Sequence, residues 1–297
     1  MTAAVMQHAA LPYSGRGGFV RAATGVVRGS LERDTVPVVL ARPRDVTRVR
    51  SALGRRGRDV LGVDMSVAGR NPARVLPMLQ HLLDEHPDCS LSCVIEAVRP
   101  DDPAPVVGEV ELYELLLALP TFHGWNCRLT CLYDEGGLPP RVVEMIEAAH
   151  GEQSAERVTR LERARGEPLP PRPMSSEELG VDRTTLSALR GFVQRRAEQA
   201  GLDSERVDDL VYAVNEGVTN SICHGEGRAR VSFWTENHAV VCEVRDRGWI
   251  RDPLVGRIAP RPDTLSGRGL WLVNQLCDLV QLRSSPSGTT LRMHVDI

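Results

Sequence analysis

Along the first half of the chain, short apolar runs alternate with stretches whose apolar residues recur every three or four positions. Runs at 36–41, 60–64, 91–97 and 127–133 are rich in β-branched residues and predict strands. Between them, helical periods cover 18–31, 45–53, 72–85, 110–119 and 141–150. Such alternation predicts an α/β domain over 1–150, a mostly parallel sheet with helices on both faces. The pattern then breaks. Segment 151–166 is charge-rich, with only Val158 and Leu161 as large apolar residues, and predicts an exposed helix. Glu167-Pro168-Leu169-Pro170-Pro171-Arg172-Pro173 follows; its four prolines exclude a helix or central strand, so 151–175 is expected to be a helical, proline-rich linker.

Past the linker the order changes. Leu186, Leu189, Phe192, Val193 and Ala197 mark one amphipathic helix; Val207, Leu210, Val211, Val214, Val218 and Ile222 form the stripe of a second. Asp203 is its expected N-cap, Leu202 can staple onto Val207, and Gly225 ends it. Strands at 228–235 and 239–245 join through Glu236-Asn237-His238. A helix over about 268–279 precedes strands 280–284 and 289–297, which turn at Pro286-Ser287-Gly288. This predicts an α+β sandwich over 176–297, a helix layer on a mixed, largely antiparallel sheet.

Composition narrows the chemistry. The 297 residues are 42% hydrophobic and 25% charged, enough apolar material for two cores. All 36 basic residues are arginine, which excludes Schiff-base chemistry and a Walker A loop, since both need lysine. The absence of lysine itself reads as codon bias. A net charge of −3 without blocks of like charge gives no nucleic-acid footprint. No run of about 18 apolar residues predicts a membrane span, and the first eleven residues lack the basic start of a signal peptide. Seven cysteines without framework spacing fit a reduced, cytoplasmic protein.

Three features of the second domain then converge. Glu216 and Asn220 stand at i and i+4, away from the apolar stripe. Asp246 ends a buried strand in Val244-Arg245-Asp246-Arg247-Gly248. Gly267-Arg268-Gly269-Leu270 opens a helix, whose free N–H groups attract phosphate. Singly, these are a solvated face, a turn and a helix start; their order and spacing carry the reading.

Glu216-Gly217-Val218-Thr219-Asn220-Ser221-Ile222-Cys223-His224-Gly225 resembles the N box of the GHKL ATPase superfamily, in the form found in bacterial anti-sigma factor serine kinases. Asp246-Arg247-Gly248 is similar to the first glycine box, Gly267-Arg268-Gly269-Leu270-Trp271 to the second, and Gly288-Thr289-Thr290 to the final Gly-Thr-Thr. The resemblance implies that Asn220 completes Mg²⁺ coordination and that Asp246 accepts the adenine amino group, with Gly248 leaving room for the base. It places Gly267, Gly269 and Leu270 at the phosphates, has Arg268 adding charge from the lid, and Thr290 bonding near the adenine. Glu216 is the candidate general base for a serine hydroxyl, and His224 a structural residue. The implied function is an ATP- and Mg-dependent anti-sigma factor, a serine/threonine-protein kinase in transcription regulation. Its partners would be a sigma factor and a STAS-type anti-anti-sigma factor, and the chain would form a homodimer.

The chain departs from that pattern where Trp249 and Ile250 follow Gly248 in place of the second glycine, in a short lid over about 249–266, and in a weakly apolar first strand region at 177–181. Ile250 is the feature favouring an alternative, a non-catalytic regulatory module that works only through partner contacts. A histidine kinase is a third reading, but His123 and His150 have no dimerising helix-hairpin context. Cys223, inside the N box, reads as a small buried residue.

The first domain resembles the MEDS sensory domains of actinobacterial regulators, on His8-x4-Tyr13, the 15–31 helix, Val63-Asp64-Met65, Gly69-Arg70-Asn71-Pro72, Glu96 and Glu114. Its layout is similar to the RecA-like fold without a phosphate loop, so a small ligand is expected at the carboxyl ends of the strands. Cys89 and Cys93, and Cys127 and Cys131, are each spaced by four. On neighbouring strands the four thiols could bind zinc or form disulfides, although buried small hydrophobes is the plainer reading.

Overall fold

The computed structural model describes residues 6–15, 17–33, 35–151, 154–260 and 267–297. The chain divides into two compact units, Met1–Leu161 and Glu162–Ile297. Among the described residues, no helix is long and apolar enough to cross a membrane.

The first unit runs β1 (Gln7–Tyr13), α1 (Gly18–Glu32), β2 (Val36–Ala41), α2 (Pro43–Ala52), β3 (Leu61–Asp64), α3 (Met65–Ala68), α4 (Val75–Glu85), β4 (Leu91–Ile95), α5 (Ala104–Leu116), β5 (Cys127–Asp134) and α6 (Pro140–Gly151). Its sheet has the order β1-β5-β4-β2-β3, and every pair is parallel. Helices cover both faces, which explains why β4 is buried at all five positions and reads as a continuous apolar run. α1 and α2 pack one face through Phe19, Ala23, Val27, Val46 and Val49.

Three details differ from the pattern-based expectation. β1 is a strand that the sequence did not announce: Pro12 interrupts an alanine-containing run. The strand lies at the sheet edge, where a missing N–H is tolerated. The helix expected over 72–85 begins as a tight 3₁₀ turn at Pro72–Arg74 before α4. The helix expected from 110 begins at Ala104, after Pro103.

The four thiols do not converge. Cys89 precedes β4 and is exposed, so its spacing of four from Cys93 places nothing on a shared strand face. Cys93 and Cys127 do meet, their sulfurs 3.7 Å apart and buried, and the hydrogen bond with Cys127, helped by burial, pushes the Cys93 thiol well up. Cys131 turns instead to Glu114, 3.6 Å away. At the carboxyl ends of β3 and β4, the enclosed space beside Met65, Glu96 and Tyr113 measures about 10 Å³, the room of a single water.

The second unit takes in most of the last turns of α7 (Ser154–Gly166) and continues with β6 (Glu177–Asp182), α8 (Leu186–Ala200), α9 (Ser204–His224), β7 (Arg228–Glu236), β8 (Ala239–Asp246), α10 (Gly269–Leu276), β9 (Leu279–Ser285) and β10 (Gly288–Asp296). The five-stranded sheet has the order β6-β7-β8-β10-β9, and all its pairs are antiparallel rather than mixed. This layout of helices on an antiparallel sheet is consistent with a GHKL-type fold. α7 is not uniformly exposed: Leu161 and Arg165 are buried, and Arg165 donates to the Ile250 carbonyl. The proline stretch is tied to the sheet, with Leu169 buried and Arg292 donating to the Pro170 carbonyl at 2.7 Å. Arg292 also pairs with the fully buried Glu243 at 2.6 Å and stacks over Trp234.

α9 forms where its caps and stripe predict. Asp203 accepts from the Arg206 amide at 2.9 Å, and Val207, Leu210, Val214, Val218 and Ile222 enter the core with Leu291, Met293 and Val295 of β10. The helix lies close on the sheet because Gly217 has no Cβ; one built there would come within 2.9 Å of Leu291.

Candidate nucleotide site

Above this sheet, α9, the ends of β8 and β10 and the start of α10 enclose a cleft of about 760 Å³, the size of a small-molecule site. One wall is a ladder on α9. Tyr212, Glu216, Asn220 and His224 follow one another at intervals of four residues, and all four line the cleft. Repetition at i+4 stacks side chains on one helical face, opposite the apolar stripe. The sequence pointed to Glu216 and Asn220 on this logic. Tyr212 belongs to the same ladder and was missed, although the spacing was there to find it. His224 is at the wall as well, and exposed.

Gly267, Arg268, Gly269 and Leu270 stand opposite. Gly267 has φ +87°, a left-handed conformation that favours glycine. Gly269, the first residue of α10, lies so near α9 that a Cβ there would sit 2.5 Å from a Glu216 carboxylate oxygen and 3.4 Å from the Asn220 amide nitrogen. The start of α10 thus shares one place with Glu216 and Asn220. A neutral side-chain amide, a carboxylate and a helix N-terminus together suit a phosphate chain and its cation.

At the other end, Asp246 closes β8. One of its carboxylate oxygens accepts from the Ser221 hydroxyl at 2.6 Å, the other from the Gly248 amide at 2.6 Å. Two donors hold the group in one orientation, and each oxygen keeps a further lone pair for an incoming donor. The space around it is made by missing side chains. A Cβ on Gly225 would come within 2.5 Å of Asp246 Oδ1, and one on Gly248 within 2.8 Å of the His224 carbonyl. Leu282 and Leu291 give this end apolar walls, and Trp249, with Arg251 over its ring at 4.8 Å, stands at the mouth.

Thr290 is not brought here. On β10, residues 289 and 291 point into the cleft and 290 points to the opposite face, so Thr289 and not Thr290 lines the cleft. Thr289 donates to the Gly248 carbonyl at 2.8 Å and shares a 2.7 Å hydrogen bond with Ser284, which accepts from the Ile250 amide at 2.8 Å. This relay pins 248–250 beside Asp246. Ile250 does not strain the turn: among the described residues the non-glycine positions with positive φ are Glu226, Asn237 and His238. Residues 261–266 of the expected lid lie outside the described residues.

No curated protein sequence matches the chain. Among solved structures, the RsbU and RsbW domains of Rv1364c from Mycobacterium tuberculosis align with 18% identity and a TM-score of 0.32, over 42% of this chain. The chain spans only 33% of that protein's length. Acinetobacter baumannii histidine kinase AdeS aligns with 12% identity and a TM-score of 0.24, over 55% of this chain and 88% of its own. Residues 180–295 match the family model of the histidine kinase-like ATPase domain.

Proposed function

We propose that the second unit binds Mg²⁺–ATP and that the chain is a cytoplasmic anti-sigma factor, which holds a sigma factor and phosphorylates a serine of a STAS-type anti-anti-sigma antagonist. The first unit tunes that exchange. The observation that carries this reading is the convergence of Glu216, Asn220, the start of α10 and Asp246 on one cleft.

The residues fit the nucleotide. Asp246 offers its carboxylate to an exocyclic amine, between Leu282 and Leu291 as apolar walls. Gly267, Gly269 and Leu270 present main chain to the phosphates, Arg268 adds positive charge, and the Asn220 side-chain oxygen supplies a hard ligand for Mg²⁺. When bound, Mg²⁺–ATP supplies the transferable phosphoryl group. Glu216, one helical turn from Asn220, is placed to take the proton of a serine hydroxyl presented at the phosphate end. The alternative of a module without catalysis leaned on Ile250, whose backbone N–H is satisfied by Ser284 in an ordinary conformation. His150, with its side chain 7% exposed, is no accessible phosphoacceptor, which speaks against histidine-kinase chemistry there.

Two substitutions test the proposal, because the cation ligand and the base fail differently. Asn220→Ala removes a ligand oxygen, so affinity for Mg²⁺–ATP is expected to fall. Glu216→Gln keeps size and hydrogen bonding but removes the proton acceptor. Nucleotide and sigma-factor binding are expected to persist while serine phosphorylation drops by roughly 10²–10⁴. Unchanged phosphorylation in Glu216→Gln removes the base assignment. A wild-type chain that phosphorylates none of its co-purifying partners leaves the non-catalytic module.

A further inference from the structure

In the first unit, four side chains with metal-binding atoms meet from four elements: His8 on β1, Glu114 on α5, Cys131 on β5 and His150 near the end of α6. One ligand atom from each lies within 4.8 Å of every other. His8 Nε2 is 2.9 Å from Glu114 Oε2, 3.0 Å from His150 Nε2 and 3.2 Å from Cys131 Sγ. Glu114 Oε2 is 3.4 Å from His150 Nε2 and 3.6 Å from Cys131 Sγ.

Zinc bonds of about 2.0–2.2 Å to nitrogen and oxygen and about 2.3 Å to sulfur give a tetrahedron with edges of roughly 3.3–3.7 Å. The Glu114 separations of 3.4 and 3.6 Å from His150 and Cys131 fall in that range, and the 2.9, 3.0 and 3.2 Å at His8 are shorter, so the His8 ring would draw back slightly to seat an ion. Hydrogen bonds alone do not account for them. His8 Nε2 can carry one hydrogen, yet it faces three partners at 3.2 Å or less. The charges close as well. Glu114 is 1% exposed, and its carboxylate with a Cys131 thiolate would bury two negative charges that one divalent cation neutralises.

The outer partner of His150 is also in place. Its Nδ1 lies 2.8 Å from the Ile146 carbonyl, which fixes the hydrogen on Nδ1 and turns the Nε2 lone pair toward the cluster. Two imidazoles, a thiolate and a single carboxylate suit a borderline-soft ion and not Mg²⁺ or Ca²⁺, which take oxygen. We propose that His8, Glu114, Cys131 and His150 form a closed tetrahedral site for one divalent ion of the zinc class. With four protein ligands it has no open position for substrate, so its work is structural. It fastens the edge strand β1 and the end of α6 to the middle of the unit.

The test uses the full chain without a histidine tag, purified from zinc-supplemented medium. One equivalent of zinc per chain is expected, retained on dialysis. After chelation, Co²⁺ is expected to give a thiolate-to-cobalt charge-transfer band with tetrahedral d–d bands. Cys131→Ser is expected to abolish the charge-transfer band. The same variant, and His150→Gln, are expected to weaken zinc by more than the roughly 10–100-fold cost of removing only a hydrogen-bond partner of a ligand. Cys89→Ser, at an exposed thiol outside the cluster, is expected to bind as wild type. If Cys131→Ser does not fold, the wild-type cobalt spectrum decides: absence of the thiolate band overturns the site. Substoichiometric zinc in the wild type, or a band that survives Cys131→Ser, overturns it equally and leaves a hydrogen-bonded core cluster.

Discussion

At the scale of single residues, the proposed preference of the cleft for adenine rests on one carboxylate. Asp246 is an acceptor whose two oxygens are already oriented by Ser221 and Gly248. An acceptor there matches the exocyclic amine of adenine and opposes the carbonyl of guanine. Titration of the wild type is expected to show ATP or ADP bound in preference to GTP, with the preference lost in Asp246→Asn; equal affinity of the wild type for GTP contradicts the assignment. The strand parity of β10 gives a second, sharper comparison. Thr289→Val removes the hydroxyl that holds the Gly248 carbonyl, and nucleotide affinity is expected to fall by about 1 kcal/mol, about fivefold. Thr290→Val, on the far face, is expected to leave it unchanged. The motif points to Thr290 whereas Thr289 lines the cleft, because a pattern of letters does not say which way a strand faces.

At the scale of elements, α9 was the most legible part of the molecule. Its cap, staple and stripe are short-range features, and the 3.6-residue period sets its buried and cleft faces together. Removing the cap with Asp203→Ala is expected to cost about 1 kcal/mol in denaturant unfolding, with no change in the slope. The strands of both units were equally plain where they were apolar. β1 was not, because an edge strand half exposed along its length carries a weak pattern and tolerates proline. The cluster of His8, Glu114, Cys131 and His150 was illegible for a different reason. Its members are up to 142 positions apart, and only the parallel register of β1 against β5 and the packing of α5 and α6 bring them together. The buried Glu243–Arg292 pair shares that long-range origin. Arg292→Ala leaves the fully buried Glu243 carboxylate with Arg245, 2.7 Å away and half exposed, as its remaining cation. The second unit is expected to lose up to about 3 kcal/mol on thermal or urea unfolding, less than a fully stranded charge costs.

At the scale of the whole molecule, acid and truncation are informative. Burial pushes His294 down to about 4 from its ordinary 6.5, and its ring is neutral beside Gln281. The unfolded chain therefore takes up a proton below pH 6.5 that the folded chain refuses until about pH 4. Stability is expected to fall across that window by up to about 3 kcal/mol as pH drops. His294→Gln is expected to flatten this part of the unfolding profile; an identical slope in the variant contradicts it. A chain lacking residues 1–150 is expected to fold and bind nucleotide. One beginning at 176 also loses Leu169 and the Pro170 carbonyl held by Arg292, and is expected to melt lower.

The placement of the cysteines gives the two units separate clocks. Cys89 and Cys223 are exposed, while Cys93, Cys127 and Cys131 are buried in the first unit and Cys242 and Cys277 in the second. A thiol-reactive mass tag therefore counts openings: two sulfurs react at once, and each remaining sulfur reacts only as fast as its surroundings come apart. If the units open independently, the slow alkylation resolves into two rates, and Mg²⁺–ATP retards the group containing Cys242 and Cys277 alone. If they open together, all five slow sulfurs share one rate, and the same nucleotide retards them all.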